Sequence, residues 1–211
     1  MGNYFLNEPT LISFISKESI DDCEWLVHGK RVGGYVRSLL QGMSHHGVYK
    51  DQFLESEIEM MASAAQLHDI GKVKISTQIL NHTGVLPINY FDVIKGHANA
   101  GQIILANFAT KVPHLQSYLD IAIQMAASHH ERWDGLGYPM QLKGTNIPMV
   151  GRIVAIADVY DALISARSYK DGWSHGDVYR EIVQGCGIRY DPNLVDIFKH
   201  CADHFLELSG Q

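Results

Sequence analysis

The chain has 211 residues, which at a usual domain size of ~150 residues favours one domain with short additions. Its 46% hydrophobic content supports a buried core, and 19% charged residues are too few for a disordered, charge-rich chain. A net charge of −6 excludes a broad cationic surface for a nucleic acid polymer or acidic lipid, although a small anion can still bind where a metal dominates the local field.

The most apolar stretch, Met149 to Ala166, is interrupted by Arg152, Asp158 and Asp161, so no membrane span is expected. The N-terminus lacks a basic segment followed by an apolar one, and Leu6 stands where a myristoylation signal needs Ser or Thr. Cys23, Cys186 and Cys201 form no C-x-x-C pair, which fits a reduced chain. The expected location is the cytoplasm.

In chain order, residues 1–17 lack a clear period and read as an N-terminal extension or linker remnant, leaving 18–211 as the domain. Ser19 to Asp22 reads as a capping box opening a helix to about Met43, in which Gly29, Gly33 and Gly34 suggest close helix packing. A second helix spans about Leu54 to His68. A third follows Pro87, with Phe91, Ile94, Ala98, Gly101, Leu105 and Phe108 at helical spacing. A fourth runs from Pro113 to about Glu131. A loop rich in Gly and Pro, Trp133 to Pro148, leads to a fifth helix from Met149 to about Ser165. One helix is capped by Ser174 and Asp177 and closes near Gly185; another starts at Asp191-Pro192. With no alternating pattern, the expectation is an all-α bundle of about seven helices.

The chain carries 12 histidines, and their placement is informative. Glu24 and His28 are spaced i, i+4, so one helix face carries both. His68 and Asp69 adjoin at a helix end, His97 falls on an apolar stripe, and His129-His130 adjoin again. Asp158 interrupts the apolar run Ile153 to Ala157, where an isolated carboxylate costs several kcal/mol unless it meets a cation or donor. Each residue alone suits an ordinary core or surface position; together, five histidines and three carboxylates on apolar helices indicate metal ligation. His45, His46, His82, His114, His175, His200 and His204 lack that context and read as surface residues. Imidazole and carboxylate donors without thiolates suit Fe, Mn or Zn in a multinuclear catalytic site at the centre of the bundle.

The segment His68-Asp69-Ile70-Gly71-Lys72, then His97, then His129-His130-Glu131-Arg132-Trp133-Asp134-Gly135-Leu136-Gly137-Tyr138-Pro139, resembles the HD-GYP domain, a subgroup of the HD phosphohydrolases. Ile153 to Leu163 resembles that family's next block, and the likeness runs in order from about residue 20 to 208. The resemblance implies an all-helical, metal-dependent phosphodiesterase that hydrolyses a cyclic dinucleotide, cyclic di-GMP first, to pGpG and in some members to GMP, through a metal-bridging hydroxide. It assigns His68, Asp69, His97, His129, His130 and Asp158 to two core metals bridged by Asp69. Glu24 and His28 resemble the further pair of members with a third metal, which tend to use iron, with manganese as substitute. Lys72 resembles the lysine that faces a phosphate oxygen, and its plain alternative is a surface lysine after a turn.

Arg167, Ser168, Tyr169 and Lys170 resemble the family's R-P-Y-R segment, which places Arg167 and Lys170 against guanine or phosphate. Ser168 departs from the usual proline, and Lys74, Ser76 and the run Gly187 to Pro192 carry further changes that remove no ligand. Gly137, Tyr138 and Pro139 form the name-giving loop, open either to substrate contact, to docking of a GGDEF-domain protein, or to simple packing by Tyr138. The alternatives are a hybrid cyclic GMP-AMP phosphodiesterase, a silent cyclic dinucleotide sensor, and an HD hydrolase for another nucleotide. A homodimer is compatible with the sequence.

Overall fold

The computed structural model describes residues 23–46, 49, 52–80, 82, 84–85, 87–165 and 172–210, with side chains from 27 onward. Eight α-helices appear among them: α1 (Cys23–His45), α2 (Glu55–Ala65), α3 (Thr77–Leu80), α4 (Ile88–Ala109), α5 (Gln116–Ser128), α6 (Met149–Ile164), α7 (His175–Gln184) and α8 (Pro192–Ser209). Among the described residues the one β feature is an isolated Cys186–Tyr190 bridge. The all-α expectation holds. The short α3 is additional to the helices read from the sequence, and the Ser19–Asp22 capping box lies outside the described residues.

The long helix α1 packs against α2, α6 and α8, while α5 lies between α2, α4 and α6. Gly29 and Gly33 explain the first of these contacts. A Cβ on Gly33 would stand 2.6 Å from the Ala62 carbonyl oxygen, and one on Gly29 2.8 Å from that of Gln66. On the opposite side of α1, Tyr35 stacks on Phe205 at 4.7 Å, and Tyr160 meets the same ring edge-on at 4.9 Å. These rings are fully buried and join α1, α6 and α8 into one core.

Two helix ends differ from the sequence reading, and both differences shape the site. Helix α2 stops at Ala65, and His68 and Asp69 lie in turns ahead of a 3₁₀ segment, Ile70–Lys74. Pro113–Leu115 is likewise 3₁₀, and α5 ends at Ser128 with His129 as its C-cap, so the histidine pair follows the helix rather than occupying its last turn. In a continuing helix adjacent residues point about 100° apart. Leaving the helix lets both members of each pair turn inward.

The 3₁₀ segment is pressed onto α4. A Cβ on Gly71 would fall 2.0 Å from the His97 carbonyl oxygen and 2.5 Å from the Gly101 nitrogen, both backbone atoms. No side chain fits there, so Gly71 sets the distance between the Asp69 turn and the helix that carries His97. Gly96, one residue before His97, is the contrasting case: a Cβ there meets nothing within 4 Å. Gly71→Ala is therefore expected to lower unfolding free energy by about 1–3 kcal/mol, and Gly96→Ala to raise it by about 0.5–1 kcal/mol through helix propensity. Denaturant unfolding of the two variants checks both signs.

Candidate metal centre

His68, Asp69, His97 and His129 are each 3% exposed or less, a burial that four polar side chains reach only when their atoms are satisfied. The imidazoles are oriented from behind. His68 Nδ1–H donates to the Ala65 carbonyl at 2.8 Å, His97 Nδ1–H to Ile94 at 2.6 Å, and His129 Nδ1–H to Met125 and Ala126 at 3.0 and 3.1 Å. His28 Nδ1–H donates to the Asp161 carboxylate at 2.7 Å. A donor at Nδ1 leaves the lone pair on Nε2, the tautomer a metal requires.

Those Nε2 atoms converge. His97 Nε2 stands 3.2 Å from His129 Nε2, where two facing lone pairs cannot hydrogen-bond with one another, and 3.1 Å from His130 Nε2. Asp69 divides its two oxygens. Its Oδ1 lies 3.2 Å from His97 Nε2 and 3.8 Å from His129 Nε2, while Oδ2 lies 3.4 Å from His68 Nε2 and 3.7 Å from His28 Nε2. Asp158 Oδ1 faces the second group, 3.2 Å from His28 Nε2 and 3.7 Å from His68 Nε2. Three sets of donor atoms lie within 4.8 Å of one another: His97, His129 and His130; His28, His68 and Asp69; and His68, His129 and Asp158.

The residues fit divalent metal ions. His68 Nε2 and Asp69 Oδ1 are fully buried and have no hydrogen-bond partner, so each needs a cation rather than a donor or acceptor of the protein. The charges agree. Burial opposes ionisation of Asp69, but Lys72 and His68 override it and hold the carboxyl well below the usual range. Asp158 is held low in the same way by His28 and His68. Burial pulls His130 down to about 4 and His129 well below the usual imidazole range, so both present neutral lone pairs. Burial also lowers His68, yet the Asp69 and Asp158 carboxylates outweigh it and bring its pKa to about 10. Ionised carboxylates and the neutral His129 and His130 suit a divalent ion of borderline softness, and an ion taken at His68 would displace the proton that its two carboxylate neighbours hold there.

The sequence-predicted residues thus divide into three groups. The structure brings together His28, His68, Asp69, His97, His129, His130 and Asp158. It adds Lys72, whose half-buried ammonium donates to Asp69 Oδ2. Glu24 lies on α1 but its side chain is outside the described residues, as are Arg167 and Lys170 altogether. Among the other histidines, His45, His46, His114, His200 and His204 are exposed as expected. His82 and His175 are half-buried instead: the His82 ring meets Tyr90 edge-on at 5.6 Å, and the Tyr160 hydroxyl lies 2.8 Å from His175 Nδ1.

The Gly-Tyr-Pro loop folds back on this centre. A Cβ on Gly137 would stand 2.4 Å from the Arg132 nitrogen and 2.6 Å from the His130 carbonyl oxygen, so only glycine admits the approach. Tyr138 then stacks on the His130 ring, at 4.6 Å between centroids and 26° between planes.

Three residues that the sequence did not single out position the rest. Asp161, 1% exposed, takes a two-pronged ion pair from Arg31 at 2.6 and 2.8 Å while it receives His28 Nδ1–H. In the sequence it counts only as a break in an apolar run, but its place one turn beyond Asp158 is the signal. Arg31 stands one turn beyond His28. Glu131, also buried, accepts the backbone N–H groups of Met140 and Leu142 at 2.7 and 3.0 Å and so ties the loop down behind the histidine pair.

Residues 30–194 match the family described as HD domain. The chain belongs to the HD domain family. A cyclic di-GMP phosphodiesterase of Vibrio cholerae is 38% identical to it over 203 residues, which are 96% of this chain and 41% of that protein. The 3'3'-cGAMP-specific phosphodiesterase 2 of the same organism is 39% identical over 154 residues, 73% of this chain and 28% of that protein. Among solved structures, Bd1817, an HDG"Y"P protein from Bdellovibrio bacteriovorus, shares the fold with a TM-score of 0.59 at 17% identity, over 94% of this chain and 60% of that one. The HD domain chain spans less than half the length of the curated relatives it matches. Among its described residues no helix is long and apolar enough to cross a membrane.

Because Asp161 orients His28 and pairs Arg31, Asp161→Asn in this HD domain is expected to weaken metal affinity by about 10–100-fold with the helical fold retained. Competition against a chelator reads the affinity, and far-ultraviolet circular dichroism reads the fold.

Proposed function

We propose that this chain is a metal-dependent phosphodiesterase that hydrolyses a cyclic dinucleotide, cyclic di-GMP first, to pGpG or GMP. The observation that carries the reading is the shared Asp69 carboxylate, with one oxygen toward His97 and His129, the other toward His68 and His28, and Lys72 against the second. Divalent ions held there supply an activated water at neutral pH and neutralise charge on a phosphoryl group.

The remaining work falls to the chain's own residues. His97, His129 and His130 would hold one ion and His68 and Asp158 the other, with the Asp69 carboxylate available to both. Glu24 and His28 would hold a third ion. Iron is the proposed metal and manganese its substitute, in keeping with a donor set of imidazoles and carboxylates. Lys72 stands where an ammonium stabilises negative charge developing on a phosphate oxygen. Arg167 and Lys170 are proposed to contact guanine or phosphate, and Tyr138 to line the mouth of the site. The Gly137–Pro139 loop remains a candidate docking point for a GGDEF-domain protein, with Leu136 and Met140 exposed beside it. A cytoplasmic location follows from the substrate proposed.

A second reading is hydrolysis of the hybrid 3'3'-cyclic GMP-AMP, supported by the 39% identity to a phosphodiesterase of that specificity. Both readings use the same centre and differ in base recognition alone.

The deciding experiment is product chromatography on protein purified without oxygen, loaded with Fe(II) or Mn(II), and given each dinucleotide in turn. Formation of pGpG or GMP from cyclic di-GMP is expected. Cleavage of the hybrid alone moves the substrate, and cleavage of neither by metal-loaded protein defeats the reading. His68→Ala and Asp69→Ala are each expected to abolish turnover and deplete bound metal. Lys72→Met is expected to keep the metal and to lower kcat by roughly 10²–10³-fold. Metal analysis beside steady-state rates separates the two behaviours.

A further inference from the structure

Helix α4 carries two side chains beside the centre that neither the metal site nor Lys72 accounts for. Phe91 is one turn before Lys95, and Lys95 is two residues before His97. The Lys95 ammonium lies 4.5 Å from the centroid of the Phe91 ring and 5.9 Å from that of Tyr138. Tyr138 stacks in turn on His130. The contacts make a ledge that runs outward from the imidazoles through Tyr138 and Lys95 to Phe91, whose side chain is 43% exposed. Asp92, mostly exposed itself, holds the ammonium over the rings at 3.3 Å. An exposed pair of this kind is weak enough to yield to a ligand.

We infer that Phe91 and Lys95, with the edge of Tyr138, form a purine-base subsite that selects guanine over adenine. The inference rests on the cyclic dinucleotide reading above and deepens it. Guanine presents two neighbouring acceptors, O6 and N7, whereas adenine replaces the first with an amino donor. An ammonium has donors only, so it pairs with the guanine edge and meets a like donor on adenine. Any purine face can stack on an exposed aromatic ring. In a nucleotide the base is one ribose away from the phosphorus, and the ledge is joined to the centre through the stack of Tyr138 on His130. Lys72 already supplies a cation at Asp69, so a second one further out has the base edge as its natural partner.

The test uses metal-loaded protein and calorimetry with phosphorothioate analogues of cyclic di-GMP and cyclic di-AMP, which resist hydrolysis. Lys95→Met keeps the aliphatic stem over Phe91 and removes the donors, while Lys95→Arg keeps donors. In Lys95→Met the Kd of the guanine analogue is expected to rise about ten-fold or more, the scale of one base-edge contact, with that of the adenine analogue changing less than about two-fold. Lys95→Arg should retain guanine preference, which separates a lost donor from a lost fold. Equal weakening for both analogues, or no weakening for either, overturns the subsite. Turnover of natural cyclic di-GMP is read separately. Turnover with guanine binding unmoved by Lys95→Met defeats the subsite alone. Selective loss of guanine binding without turnover in the unsubstituted protein keeps the subsite and defeats the hydrolase reading.

Discussion

A carboxylate with 3% of its surface exposed, serving two groups of imidazoles at once, is the constraint around which this bundle is arranged. Burying such a group without compensation costs several kcal/mol, so the surrounding elements must bring positive charge or metal to it from several directions. The 3₁₀ turn holds Asp69 against α4, α5 delivers the histidine pair at its end, and α6 and α1 deliver Asp158 and His28. The tight backbone contacts at Gly71 and Gly33 are where the fold accepts close approach to keep those deliveries in register. Packing and chemistry are therefore not separable here, because the same turns that close the core also aim the donors.

The orientation of the imidazoles is set at one remove. Backbone carbonyls near the ends of α2 and α5, and one within α4, take the Nδ1–H of His68, His129 and His97, so the helices themselves choose the tautomer. His28 has no carbonyl in that role and takes Asp161 instead, whose charge is balanced by Arg31. His28 thus depends on a side-chain ion pair where His68, His97 and His129 depend on the backbone, so a side-chain substitution at Asp161 reaches it directly.

Most of the helices and the inward donors were legible in the sequence because they obey local rules. Apolar spacing marks α4, the Ser174 and Asp191 caps mark the starts of α7 and α8, and adjacent polar residues at helix ends mark His68-Asp69 and His129-His130. What escaped depends on partners far away in the chain. Nothing near Ala65 announces that α2 unwinds there; the turn is favoured because Asp69 must reach α4. The roles of Asp161 and Glu131 come from Arg31 and from the backbone of Met140 and Leu142, contacts that no period or spacing encodes. Gly137 is conspicuous by its motif, but its reason, a backbone passing too close for a methyl group, exists only in three dimensions.

The pairing of Arg31 with Asp161 joins residues 130 positions apart in the sequence. During synthesis α1 leaves the ribosome before α6 does, and for that interval its histidine and arginine lack the Asp161 carboxylate. Contacts of such long range carry a high loop-closure cost. His28 consequently meets Asp158 and Asp161 only where α6 is docked against α1. The donor set is therefore a property of the docked bundle, with no single helix carrying it.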